Sequence, residues 1–364
     1  MVIKRETDTA DAVPSAMFPW IIDCGSWGAR RPKPPGVVLL EGTTRKIILH
    51  HTGEPAHNTT DFSRERAVRL AKDIQRFHQD ERGWSDSGQH FTVSRGGHVL
   101  EGRACSLETL ETGLAQVRSA HCPGRNHDSI GIENEGFYIE ETPTQKLWDS
   151  LVRLCVTICR QYQLRAHHIF GHWDFRNTQC PGIGFYRQFP QLRREVAAQL
   201  GTQIGEVPER TWPDIYEVAE GTPVGGPVVT VAQYLLRNAG YPVPLTDGGQ
   251  WSPEMTSAIK DWQHRHGLAV SPDGTMTAGT WETLAPELDQ HATGDVVRAL
   301  QGILIAKGYL GVGVDGQFDD ATESAVKDLQ KLHGLPANGE VDTRTWCVVT
   351  GGVIREAFRD ALHS

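Results

Sequence analysis

"RKIILHHT", residues 45–52, decides the fold. Ile47, Ile48 and Leu49 form a short unbroken apolar run between a basic pair and a histidine doublet. Such a run fits a strand buried on both faces. Outward from it, "FSRERAVRLAKDIQRFH" (62–78) spaces Ala67, Leu70, Ala71, Ile74 and Phe77 by threes and fours, which predicts an amphipathic helix. "HFTVSRGGHVLEG" (90–102) reads as a hairpin around Arg-Gly-Gly, and "SIGIENEGFY" (129–138) as a further strand. "QKLWDSLVRLCVTICRQYQL" (145–164) is a helix with Leu147, Leu151, Leu154, Cys155, Ile158 and Tyr162 on one stripe, and "HHIFGH" (167–172) a last short strand. Strands interleaved with helices predict an α/β domain over residues 17–200.

The texture changes beyond it. Residues 201–227 are richer in Gly and Pro and read as a linker merging into the next unit, while 1–16 and 353–364 read as tails. Between them lies an internal repeat. "VAQYLLRNAGY" (231–241) matches "RALQGILIAKGY" (298–309), "TSAIKDWQHRHGL" (256–268) matches "ESAVKDLQKLHGL" (323–335), and "TAGTWETL" (277–284) matches "DTRTWCVV" (342–349). An offset of 65–68 residues is too long for a solenoid unit and right for two small domains, 228–286 and 292–352. Each copy reads helix, Asp-Gly loop, helix, Thr-Trp helix start, which predicts a small all-α three-helix bundle.

The totals exclude whole classes. A net charge of −9 with no clustered Lys and Arg argues against a nucleic-acid partner. No apolar run approaches the roughly 18 residues that a membrane span needs. The start, "MVIKRETDTADAVPSA", lacks the apolar core of a secretory signal. The cysteine count, seven, is odd; with one taken as a ligand, six remain to pair or stay reduced. A monomer is expected.

"GHWDFRNTQCPG" (171–182) holds His172 and Cys180 eight residues apart in a loop closed by Cys-Pro-Gly. Two ligands of one metal would explain the pair, and the best third is His50 or His51, at the carboxyl end of a strand where open α/β sheets place their sites. Two imidazoles and a thiolate suit zinc, which needs no redox partner. The doublet His167 and His168 reads as structural.

Together "IDCGSWGAR", "ILHHTG", "GWSDSGQHF", "VLEGR", "AHCPGRN", "SIGIENEG" and "GHWDFRNTQCPG" resemble, in order, the motifs of the peptidoglycan recognition protein / N-acetylmuramoyl-L-alanine amidase family, over about residues 19–195. The two repeats resemble the peptidoglycan-binding domain of wall hydrolases. The resemblance implies a mixed central β-sheet flanked by helices, with His50, His172 and Cys180 as ligands of a catalytic Zn2+. Many catalytic relatives carry a tyrosine where this chain has Gln89; related anhydro-muropeptide amidases use a glutamate from "GIE", here Glu133, with Glu135 as its competitor. Thr178, two residues before Cys180, would help hold the oxyanion. His121 and Asn126, with Trp84 and Arg103 as weaker candidates, would line the muropeptide groove; Trp84 and His90 read equally well as packing residues.

The implied reaction is hydrolysis of the amide between N-acetylmuramic acid and L-alanine of the stem peptide. Glu133 would take the proton of the attacking water and return it to the leaving amine. Cys180 is expected to act as ligand only, since a nucleophile would need an activating base. The two repeats would hold the enzyme on peptidoglycan, adding residence through effective concentration. Action on the bacterial cell wall is implied, by a route open between phage-type release and dedicated secretion. The alternative is a recognition protein that binds without cutting. Gln89 favours it; Cys180 and Glu133 oppose it.

Overall fold

The computed structural model describes residues 2–5, 17–215, 225–246, 248–309 and 311–362. They fall into two units, Met1–His172 with Cys180–Gly201, and Trp173–Gln179 with Thr202–Ser364. No helix among the described residues is long and apolar enough to cross a membrane.

The first unit is built on a six-stranded mixed sheet. Its strands in chain order are β1 (Ile21–Ile22), β2 (Lys46–His51), β3 (Phe91–Val93), β4 (Val99–Glu101), β5 (Ser129–Asn134) and β6 (Ile169–Gly171). In space they run β1-β4-β3-β5-β2-β6; the β3–β4 hairpin is antiparallel and the other pairs are parallel. Ile47, Ile48 and Leu49 in β2 are wholly buried, as a strand with neighbours on both sides and cover on both faces demands.

Helix α1 (Arg64–Arg76) starts where the Ser63 hydroxyl accepts the Arg66 N–H, and α2 (Gln145–Tyr162) where Thr144 accepts that of Leu147. α2 buries Leu147, Leu151, Leu154, Cys155 and Ile158, the expected stripe. On α1 the buried positions are Ala67, Leu70, Ala71 and Gln75, whereas Phe77 stands 38% exposed in a π-helical turn, Phe77–Glu81, that continues the helix. Gln75 is inside because its amide is fully engaged: it accepts the Arg30 N–H and donates to Arg30 O and Asp86 Oδ1. A third helix, α3 (Phe189–Leu200), completes the cover.

The expected N-terminal tail, 1–16, is corrected in part. Val2–Arg5 forms a strand antiparallel to Val37–Glu41, which also pairs Ala115–Val117. Its β-branched start finds an edge to extend; residues 6–16 lie outside the described residues.

The second unit contains two three-helix repeats. The first has α4 (Pro227–Asn238), α5 (Pro253–Arg265) and α6 (Ala278–Leu284); the second has α7 (Asp295–Ala306), α8 (Asp320–Leu332) and α9 (Thr343–Val349). The recurring glutamines are clasps. Gln233 donates to Gln250 O (2.8 Å) and Gln301 to Gln317 O (2.8 Å), each tying its first helix to the following loop. Gln263 and Gln330 do the same one helix later, donating to Thr275 O (2.9 Å) and Glu340 O (2.7 Å). The Thr-Trp pairs begin the third helices, whose Trp281 and Trp346 are buried. Within this unit Lys307 Nζ also meets Asp174 Oδ1 at 3.0 Å, both side chains nearly inaccessible.

Two expectations fail here. Part of the linker 201–227 is folded: Trp212 stacks on Trp281 at 5.6 Å, and Ile215 bridges to Met276. Its residues 216–224 lie outside the described residues. The supposed tail 353–364 instead pairs Val353–Ile354 antiparallel with Arg210–Thr211 and buries Phe358 and Leu362. A strand partner some 140 residues upstream leaves no local signature, so the two-residue strands read as coil.

Replacing Gln263 by leucine should leave Thr275 O and the Ser271 N–H without their clasp and cost about 2 kcal/mol. Urea unfolding followed by tryptophan fluorescence will show the shift as a lowered midpoint.

Candidate metal centre

β2 ends in the histidine doublet, and successive residues of a strand face opposite ways. The two rings therefore have different surroundings. His51 stacks on Phe137 (5.9 Å) and accepts the Tyr138 N–H through Nδ1 (3.2 Å), and its backbone N–H points at Cys180 Sγ (3.4 Å). His50 faces His172, whose ring lies 4.4 Å away, and its Nδ1 is 3.6 Å from Cys180 Sγ.

His172 leaves the end of β6, paired with β2, and Cys180 returns the chain beside it. His50, His172 and Cys180 each offer a ligand atom, and these atoms lie within 4.8 Å of one another. Zinc bonds of about 2.0–2.1 Å to nitrogen and 2.3 Å to sulfur put tetrahedral ligands about 3.5 Å apart. The donor set and the His50–Cys180 spacing fit that ion.

Parallel pairing of β2 with β5 sets His50 directly against Glu133 in register, so the two side chains share one face. Glu133 makes no hydrogen bond or ion pair among the described residues, and desolvation alone pushes its carboxyl up to about 8. Two residues on, Glu135 is the reverse. It is wholly buried, ion-paired with Arg66 (2.8 Å), and accepts the Arg95 N–H (2.9 Å). Glu135 is thus committed to the scaffold and Glu133 is not.

Burial, then the nearby Glu133 charge, push the Cys180 thiol well above its ordinary value. Burial likewise drives His50 well below the usual imidazole range. A neutral thiol beside a weakly basic ring is no activated Cys–His pair, which argues for a ligand over a nucleophile.

Gln89 is buried, and its amide donates to Thr92 Oγ1 (2.9 Å), itself registered with Glu133. Thr178 sits partly exposed in the loop before Cys180. The remaining candidates all make contacts within the fold. Arg103 is buried and clips Ser87 O (2.7 Å) to Arg118 O (2.9 Å), carbonyls of two separate segments. Asn126 Oδ1 accepts the Cys122 N–H (2.9 Å) and holds its own loop. Trp84 stacks on His78 at 4.6 Å, and His90 spans Val117 O and the Gly131 N–H. His121, expected in the groove, is buried with Nδ1 2.9 Å from His50 Nε2. Its ring lies behind the ligand because Gly131 leaves room there; a Cβ at 131 would fall 2.3 Å from the ring. That His–His contact spans 71 residues and carries no sequence signal. His167 is buried against His168, apart from the cluster. No disulfide joins any of the seven cysteines among the described residues.

Fold and site define an α/β domain with a two-histidine, one-cysteine cluster whose donors could hold a cation, in a chain that continues into helical repeats. The N-acetylmuramoyl-L-alanine amidase family profile matches residues 41–183, and the peptidoglycan binding domain profile matches 225–284 and 293–348. Peptidoglycan-recognition protein LB of Drosophila melanogaster is 30% identical over 179 residues, covering 49% of this chain and 69% of that protein. N-acetylmuramoyl-L-alanine amidase of Homo sapiens is 32% identical over 202 residues, 51% of this chain but only 32% of its own length. N-acetylmuramoyl-L-alanine amidase CwlL of Bacillus licheniformis is 24% identical over 354 residues, 84% of this chain and 91% of that one. The chain belongs to the peptidoglycan recognition protein / N-acetylmuramoyl-L-alanine amidase family and carries two peptidoglycan binding domains.

In the metal-free chain the folded state keeps the Glu133 proton up to about 8, while the unfolded state releases it near 4.5. This group's contribution to stability is therefore complete below about 4.5 and lost as pH rises through 8. The Tm of Glu133→Gln should accordingly gain on the wild type between pH 5 and 8.5, read by scanning fluorimetry in EDTA; parallel curves would contradict the assignment.

Proposed function

We propose that the chain is a zinc-dependent peptidoglycan hydrolase that cleaves the amide between N-acetylmuramic acid and L-alanine, held on the wall by its two repeats. The observation that carries this reading is the pairing of a three-ligand cluster with an uncommitted carboxyl, His50 against Glu133, on one face of the sheet. The relatives named as amidases support the same chemistry.

His50, His172 and Cys180 would hold the ion. Bound there, it would supply Lewis-acid polarisation of the scissile carbonyl and acidify the attacking water. Glu133 takes the proton of that water and delivers it to the departing amine of L-alanine; with no hydrogen-bond partner among the described residues, its carboxyl is free to turn toward both. Thr178 donates a hydrogen bond to the oxygen where negative charge develops. A nearby cation favours the carboxylate, so the working pKa of Glu133 falls below the metal-free value of about 8. The base must be ionised, so the rate rises with pH through this group.

Gln89 favours a second reading, binding without cutting, because its amide is tied to Thr92 and is no acid or base. Purified sacculi digested with and without a zinc chelator separate the two. Mass spectrometry should find stems released with a free L-alanine amine only without chelator. Glu133→Gln should cut at least 100-fold more slowly while still pelleting with the sacculi, the scale of general acid–base catalysis. Intact stems in every sample, with wild-type protein on the pellet, would establish the binding-only reading.

A further inference from the structure

Behind His50 runs a directed chain of hydrogen bonds. Its Nε2 lies 2.9 Å from His121 Nδ1, His121 Nε2 lies 3.2 Å from Ser129 Oγ, and Ser129 Oγ donates to the Arg125 carbonyl at 2.6 Å. Each link has one consistent direction. A carbonyl only accepts, so the single Ser129 hydroxyl proton is committed to Arg125 O. Ser129 then offers His121 only lone pairs, and His121 Nε2 must carry a proton. In a neutral imidazole that leaves Nδ1 as an acceptor, which takes the proton donated by His50 Nε2. His50 Nδ1 is left as a bare lone pair, and it is the atom 3.6 Å from Cys180 Sγ. Both rings are buried, and no carboxylate bonds to either among the described residues.

The chain is built, not incidental. Ser129 opens β5 and is wholly buried, and Gly131 in the same strand makes the space that the His121 ring fills. A side chain of any size at 131 would displace the ring from His50. The Ser-Ile-Gly of "SIGIE" therefore supplies the hydroxyl and the space, while its Glu133 stands against His50 on the neighbouring strand.

We infer that Ser129 and His121 are positioning residues that lock His50 in the tautomer with a proton on Nε2, presenting Nδ1 as a ready ligand before any ion arrives. This rests on the reading of His50 as a metal ligand. Partners of this kind orient a ligating imidazole and raise its basicity, and losing one weakens metal affinity by about 10–100-fold.

The wild type alone gives the first test. Long-range 1H–15N correlation spectra of the 15N-histidine-labelled, EDTA-treated chain should show both His50 and His121 protonated on Nε2. Zinc affinity, measured by competition with a chromophoric chelator, should then fall about 10–100-fold in Ser129→Ala and return toward wild type in Ser129→Thr, which keeps the hydroxyl. His50 in Ser129→Ala should show mixed tautomers. A proton on His50 Nδ1 in the wild type would overturn the relay. So would a Ser129→Ala chain whose Tm drops while tautomers and zinc affinity stay unchanged, since that is purely structural behaviour. A wild type with the expected tautomers that binds no zinc would overturn the metal reading, and the positioning role with it; the two failures are thus distinguishable.

Discussion

The parallel register of β2 on β5 is the constraint on which the site depends. It aligns Lys46 with Ser129 at one end and His50 with Glu133 near the other. A slip of one residue would turn every side chain of β2 to the opposite face, placing His51 where His50 stands and sending the apolar run out of its packing. The register is held at its base by a buried ion pair, Lys46 with Asp128 at 2.7 Å, beside the serine that opens β5. At its top, the Asn134 side chain donates to His50 O at 2.8 Å, fixing the backbone of the ligand itself. Removing one partner of such a buried pair leaves a charge uncompensated, which costs more than the pair contributes.

Within that frame, burial acts on each ionisable group according to what else touches it. Glu133 and Glu135 occupy the same strand and its continuation, yet Glu135 is held by Arg66 and the Arg95 N–H while Glu133 has no hydrogen bond or ion pair among the described residues. The same desolvation raises Cys180 and lowers His50, so without a cation these two donors are neutral. Neutral donors aimed at one point are what a metal site presents before loading, since binding then releases the thiol proton.

The helical unit uses a different device. Its cores are small, and each repeat depends on buried glutamines that close loops onto helices, Gln233 and Gln263 in one copy and Gln301 and Gln330 in the other. An amide serves because it both donates and accepts: Gln301 and Gln330 each accept a glycine N–H, from Gly316 and Gly339, at the turn that its loop makes. The two-stranded ribbon of Arg210–Thr211 with Val353–Ile354 joins the ends of the unit, giving segments that look like linker and tail a place in its core.

The sequence by itself determined what is local or periodic. The apolar run of β2, the stripe of α2 and the paired repeats were legible because burial imposes periods of two and 3.6 and duplication preserves them. The spacing of His172 and Cys180 was legible because both residues lie on one loop. Only the tertiary structure decided which carboxyl makes no hydrogen bond among the described residues, that His121 backs His50, and that Arg103 and Asn126 tie loops. These outcomes turn on contacts between side chains distant along the chain, where hydrogen-bond direction and desolvation, not residue type, assign the role. A glutamate reads the same at 133 and 135; an arginine on helix α1 distinguishes them.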